Sequence, residues 1–153
     1  MMGMSMSTDT GPRVPEVGPR GAWEILSNDA DAVLVDVRTK AEWGFVGGPD
    51  LSALGREAVR REWQHWPDMA RDPAFAPGLL EEVGRDASRY LFICRSGARS
   101  MQAARAVAEL LSAEGRPGEC LNVAEGFEGD LDEHAHRGTL NGWKACGLAW
   151  RQT

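Results

Sequence analysis

Residues 90–115, YLFICRSGARSMQAARAVAELLSAEG, constrain the chain more than any other stretch. A short apolar run, Tyr90-Leu91-Phe92-Ile93, reads as a buried strand and delivers Cys94 into the turn Arg95-Ser96-Gly97-Ala98-Arg99-Ser100. The spacing then predicts a helix over 98–114, with Met101, Ala104, Val107, Ala108 and Leu111 as its apolar stripe and Gly115 as its terminator. A strand that runs through a tight turn into a helix belongs to an α/β fold. In such folds, strands alternating with helices form a parallel sheet covered on both faces.

The rest of the chain fits that scheme. Residues 1–17 read as a flexible arm with a short edge strand near Val14, and residues 18–153 as one domain, since 153 residues are few for two. GPRGAWEILSND predicts a helix with Pro19 in its first turn and Trp23 and Leu26 facing inward. AVLVDVR, 32–38, predicts a buried parallel strand whose carboxyl end emerges at Asp36 and Arg38. Thr39 caps a brief helix through Trp43, with Glu42 in the capping-box position. The segment 44–77 is irregular. Within it SALGREAVRREWQHW fits either helix or an extended strand followed by helix. APGLLEEVGRD predicts a short helix, residues 120–123 a strand entering the Gly-rich turn NVAEGFEGD, and LNGWKACGLAW a last short helix. The expected core is a central parallel sheet of about four to five strands.

Composition excludes several classes of function. A formal net charge of −6 with no Lys/Arg run argues against binding nucleic acid by phosphate neutralisation. MMGMSMSTDTGPRVPEVGPR has neither a basic start before an apolar core nor a membrane span, so a cytoplasmic protein without a membrane partner is expected. Cys94, Cys120 and Cys146 are odd in number and show no CxxC or Cys/His ligand spacing. Neither a disulfide framework nor structural zinc is expected, and no cofactor. His134 and His136 stand two apart among acids in DEHAHRG but lack a third ligand, so a solvated loop is the expectation. GFEGD is a turn without the strand-loop-helix fingerprint of a nucleotide site. Cys120 and Cys146 read as passengers, and Trp43, Trp63 or Trp66 as candidates for a pocket mouth or partner surface.

Chemistry concentrates at Cys94. In a parallel α/β sheet, ligands bind outside the carboxyl ends of the strands. There the N–H groups of residues 95–100, the start of the following helix, and Arg95 and Arg99 all favour thiolate over thiol. Gly97 permits the backbone conformation that such a nest of donors needs. A cysteine that merely fills a core would not need two arginines and two serines beside it.

Spacing separates two chemistries. Protein tyrosine phosphatases place five residues between the catalytic cysteine and an arginine, whereas here four, Arg95 to Ala98, separate Cys94 from Arg99. This tighter loop resembles that of the rhodanese (thiosulfate sulfurtransferase) family. LVDVRTKAEW is similar to the family segment in which a strand ends in Asp-x-Arg with a Glu a few residues on. NVAEGFEGD and NGWKACGLAW are similar to its Gly-rich turn and closing Gly-Trp…Gly-Leu segment.

The resemblance implies a single rhodanese-like domain in which Cys94 accepts sulfur from a small anionic donor such as thiosulfate. A thiol or protein acceptor then takes it from the Cys94 persulfide. It also implies that N–H groups of Ser96, Gly97, Ala98, Arg99 and Ser100 hold the persulfide, with Arg95 holding the donor. Arg99 has two candidate roles, donor binding or bracing the loop through a carboxylate. Asp36 and Glu42 are the carboxylates available; an Asp36–Arg99 pair is expected, with a local Asp36–Arg38 pair as the alternative. Where many members carry a Gly-His-Ile-Pro-Gly-Ala-like turn after the Glu, this chain has WGFVGGPDLSALG. A sulfur carrier or interaction module and a phosphatase or arsenate reductase are the rival readings.

Overall fold

In the computed structural model, which describes residues 12–152, the first half comprises β1 (Glu16–Val17), α1 (Pro19–Asn28), β2 (Ala32–Asp36), α2 (Lys40–Phe45), β3 (Gly48–Pro49), a 3-10 turn (Ser52–Leu54) and β4 (Val59–Arg60). The second half comprises β5 (Gln64–His65), β6 (Ala70–Arg71), α3 (Phe75–Val83), β7 (Arg89–Ile93), α4 (Ala98–Ala113), β8 (Glu119–Val123) and β9 (Trp150–Arg151). Five strands form one parallel sheet in the order β1-β8-β7-β2-β4. The chain is thus an α/β protein with a central parallel sheet flanked by helices. Of the expected arm, residues 1–11 lie outside the described residues, while Glu16 and Val17 join the sheet edge opposite Asn122 and Val123.

Alternation along the strands builds two cores. Tyr90 and Phe92 pack with Val35, Leu79, Ala104 and Val107 beneath α3 and α4. Leu91 and Ile93 point the other way, joining Leu34, Leu121, Phe127 and Trp143 beneath α1, which contributes Ala22 and Leu26. Both faces are covered, which is why the strands read as continuous apolar runs. Thr39 caps α2 through a complete capping box with Glu42, as the sequence predicts.

Two elements differ from expectation. LNGWKACGLAW is a series of turns that runs into the two-residue strand β9, where Trp150 and Arg151 pair with β3. Trp143 is wholly buried and its indole N–H donates to Ala149 O at 2.8 Å, so its segment folds around its own ring. The undecided middle segment contains neither a long helix nor a long strand. Its polar stretch forms β4 on the sheet edge and the small antiparallel hairpin β5–β6.

The carboxyl edge of β2 is pinned by charge. Asp36 and Arg38 are both wholly buried, and Arg38 donates to the two Asp36 oxygens at 2.9 and 2.7 Å. Its guanidinium also donates to Gly47 O at 2.7 Å and lies 4.5 Å from the Phe127 ring centroid. Asp36→Ala would leave a buried cation without its counter-ion, and a loss of about 3–5 kcal/mol is expected in urea unfolding.

Candidate active site

The register of the sheet brings Asp36, Ile93 and Asn122 close to the same carboxyl edge, since Asp36 pairs with Ile93 and Phe92 with Asn122. Cys94 is the next residue after β7. Its Sγ lies 3.1 Å from Gly97 N, 3.3 Å from Ser100 N and 3.2 Å from Ser100 Oγ. The sequence suggests donors from the whole of 95–100; those that reach hydrogen-bond distance belong to Gly97 and Ser100. The loop closes because Gly97 takes φ +114°, a left-handed conformation that strains other residues. The Gly-rich turn after β8 seats the loop from below: Phe127 N donates to Cys94 O at 2.8 Å, and Glu128 N to Arg95 O at 3.0 Å. A Cβ at Gly126 would stand 2.6 Å from the carbonyl oxygens of Cys94 and Arg95, so only glycine fits there.

The arginines fall into different roles. Arg99 donates through both terminal nitrogens to Glu42, at 2.8 and 2.9 Å. The expected Asp36–Arg99 pair is not formed, because the buried Arg38 already claims both Asp36 oxygens; the local alternative is the one found. Arg99 braces the loop against α2, through Glu42. Burial pushes the Glu42 carboxyl up, but Arg99 and the Thr39 N–H outweigh burial and hold it below its ordinary value. Burial lowers the Arg99 value and Glu42 more than restores it. Arg95 is exposed and, with Arg99, lines a cleft of about 930 Å³, within the size range of small-ligand sites. Cys94 itself is 1% exposed, and Ser96 and Ala98 complete the loop between the two arginines.

The opposite wall of the cleft comes from the segment least legible in the sequence. Trp66 and Met69, at the tip of the β5–β6 hairpin, face it together with Leu131 and Arg137. Trp66 is 61% exposed. Trp63 is a core residue, edge-on to Phe75 at 5.3 Å, and Trp43 stacks near Arg60; neither lines this cleft. At the hairpin base, His65 Nδ1 lies 2.7 Å from Glu62 and Nε2 3.1 Å from Asp72. Those two hydrogen bonds raise the His65 pKa. Glu62 also accepts from Lys40 N at 2.9 Å, which links the hairpin base to the start of α2.

Other sequence candidates take no part in this site. Cys120 is buried on β8 and its thiol is pushed up to about 12, chiefly by burial. Asp132 accepts from the main-chain N–H groups of His134 and His136, folding a surface loop. Among the described residues no group of three or more His, Cys, Asp or Glu is placed to hold a metal ion, and no helix is long and apolar enough to cross a membrane. Sequence reasoning passed over Asn122, a wholly buried amide that contacts the loop. Its one signal is a polar residue between Leu121 and Val123 in a buried strand.

The fold, with a cysteine loop between β7 and α4 at the sheet's carboxyl edge, is that of a rhodanese-like domain. Solved structures from several bacteria share it. Rv0390 from Mycobacterium tuberculosis superposes with a TM-score of 0.79 at 45% identity, covering 93% of this chain and 100% of that one. A rhodanese-like domain protein from Staphylococcus aureus superposes at 0.52 with 18% identity, over 92% of this chain and 99% of that one. The polysulfide-sulfur transferase homodimer from Wolinella succinogenes gives 0.54 at 19% identity, over 92% and 80%. An uncharacterized protein of Rickettsia conorii is 31% identical over 131 residues, 85% of this chain and 91% of its own length. No protein-family model matches. The chain belongs to the family of the Rv0390 and Rickettsia proteins.

Two outcomes test the electrostatics. Glu42→Gln keeps an oxygen for the Thr39 cap but removes the charge facing Arg99, and should cost about 1–2 kcal/mol at neutral pH in urea unfolding. Because the folded Glu42 value is depressed, that difference is present above the ordinary Glu pKa and disappears as pH falls through the folded value. His65 works in the opposite sense, its value being raised in the folded state. Its stabilisation is complete below the ordinary His pKa and is lost as pH rises through the folded value. Amide-exchange protection of residues 64–71, corrected for intrinsic rates, should therefore fall as pH rises through the folded His65 value, and His65→Gln should flatten that dependence.

Proposed function

We propose that the protein is a sulfurtransferase that carries sulfane sulfur on Cys94. The observation that supports this best is the convergence of two main-chain N–H groups, from Gly97 and Ser100, and the Ser100 hydroxyl on the Cys94 sulfur, in a loop one residue shorter than a phosphate cradle. A phosphate is best held by an arginine offering both terminal nitrogens; here the position after Arg99 is Ser100, and Arg99 gives both of its own to Glu42. The rhodanese-like fold supports a role of the sulfurtransferase type.

In the first step the Cys94 thiolate attacks the outer sulfur of a donor such as thiosulfate. The new bond joins Sγ to that sulfur, the donor's S–S bond breaks, and its electron pair leaves with sulfite. The product is a Cys94 persulfide, whose anion the loop's N–H groups stabilise without reorganising. In the second step a nucleophilic acceptor attacks the outer sulfur, and the electron pair returns to Sγ as thiolate. Arg95, exposed at the cleft wall, is the cation for the anionic donor. The cleft is far larger than thiosulfate, and its Trp66, Met69 and Leu131 wall suits an acceptor with an apolar part, a larger thiol or a protein segment. A reducing cytoplasm is the setting in which a free Cys94 stays available.

The test is intact mass after incubation with thiosulfate, with and without cyanide, beside Cys94→Ala. A gain of one sulfur atom that maps to Cys94, is lost to cyanide and is absent in the variant is the expected outcome. A gain that persists in Cys94→Ala would remove the mechanism, and sulfur that loads but never transfers to any thiophile would make the domain a carrier.

A further inference from the structure

We propose that Asn122 is a positioning residue that draws the Ser100 hydroxyl proton away from Cys94, which deepens the sulfur-transfer reading and rests on Cys94 being the reacting thiol. Asn122 lies on β8, opposite Phe92 of β7, and is wholly buried. Its amide nitrogen sits 2.9 Å from Glu16 Oε2 on β1 and 3.1 Å from Gly97 O in the loop. Both neighbours are acceptors, so this end of the side chain must be the NH₂ group, which has two protons to give. Flipping the amide would set its oxygen against a carboxylate and a carbonyl. The amide oxygen is therefore the atom facing Ser100 Oγ, 2.5 Å away.

That orientation decides what Ser100 does. A hydroxyl has one proton, and three acceptors surround this one: Asn122 Oδ1 at 2.5 Å, Gly97 O at 3.2 Å and Cys94 Sγ at 3.2 Å. The shortest contact takes it. Ser100 then turns a lone pair toward Sγ, an arrangement that suits the protonated thiol as donor. When Cys94 becomes an anion, as thiolate or as persulfide, the hydroxyl must rotate to donate to sulfur and release Asn122. Asn122 thus competes with the sulfur for one proton. Through its bond to Gly97 O it also holds the residue whose N–H is the other main-chain donor.

The charged groups on the elements packed around Cys94 are Arg99 on α4 with its partner Glu42 on α2, the Asp36–Arg38 pair at the end of β2, Arg95 in the loop, Glu125 and Glu128 in the turn after β8, and Glu16 on β1. Replacing Asn122 alters none of these charges. It removes the competing acceptor, and the hydroxyl becomes free to serve the anion.

The experiment is the rate of Cys94 alkylation by iodoacetamide as a function of pH in the full-length protein, with Cys120 and Cys146 alkylation resolved by peptide mapping. Asn122→Ala, and Asn122→Leu as a variant that fills the volume, should move the midpoint of the profile to lower pH by about one unit. Ser100→Ala should move it to higher pH, and adding Asn122→Ala or Asn122→Leu to Ser100→Ala should produce no further shift. A purely structural role would lower the rate equally at every pH with the midpoint unmoved, and that result overturns the proposal. So does a midpoint shift that survives in the Ser100→Ala background. Alkylation does not require sulfur transfer. A wild-type protein that never loads sulfur from thiosulfate or a persulfide donor would defeat the functional reading and leave this test intact.

Discussion

Arg38 is a wholly buried cation, and the carboxyl edge of the sheet is arranged to balance its charge, with partners for Nε and Nη2 and none for Nη1. Removing a guanidinium from water costs several kcal/mol unless its donors are met and its charge is balanced. Asp36 supplies the counter-charge, Gly47 a carbonyl, and Phe127 an aromatic face. These partners come from β2, the loop before β3, and the turn after β8. One side chain therefore fixes three segments relative to one another. The turn that carries Phe127 also carries Gly126, whose backbone lies against Cys94 and Arg95. The placement of the cysteine loop is tied to this ion pair although neither member touches the sulfur.

Around Cys94 the work is divided between neutral and charged groups. Main-chain N–H groups and one hydroxyl reach the sulfur, while the Arg99–Glu42 pair braces the loop from outside. The brace connects further, since Glu42 belongs to the capping box of α2 and the Lys40 N–H reaches Glu62, which holds His65 at the hairpin base. The wall bearing Trp66 and the arginine brace of the loop are thus joined through the first residues of α2, by hydrogen bonds on either side of the Thr39–Lys40 peptide.

Much of this was legible from local pattern. The strand 89–93, the thiol at its end, the helix after it and the Thr39 capping box appear where the sequence places them, while the strand expected over 32–38 ends at Asp36. Each rests on neighbours a few residues apart. The closing Gly-Trp segment, expected as a helix ending near Gly147, is a series of turns, because composition does not reveal that Gly142 within it takes a positive φ. The hairpin escaped notice because its strands are two residues long, too short to show alternation.

Side-chain pairing was the part that sequence alone left open. Asp36 had two arginines to choose from, and Arg99 two carboxylates. Which pairs form depends on separations of a few ångströms between β2, α2 and α4. Asn122 and Glu16 are 106 positions apart and meet only because β1 lies parallel to β8. The sequence by itself determined the alternation of strands and helices, the strand-end cysteine and the glycines that let its loop close, since these follow from short-range sterics and periodicity. The tertiary structure decided which charges neutralise each other and which polar groups reach the sulfur, because hydrogen bonds and ion pairs depend on distance and direction across elements that only the packed sheet brings together.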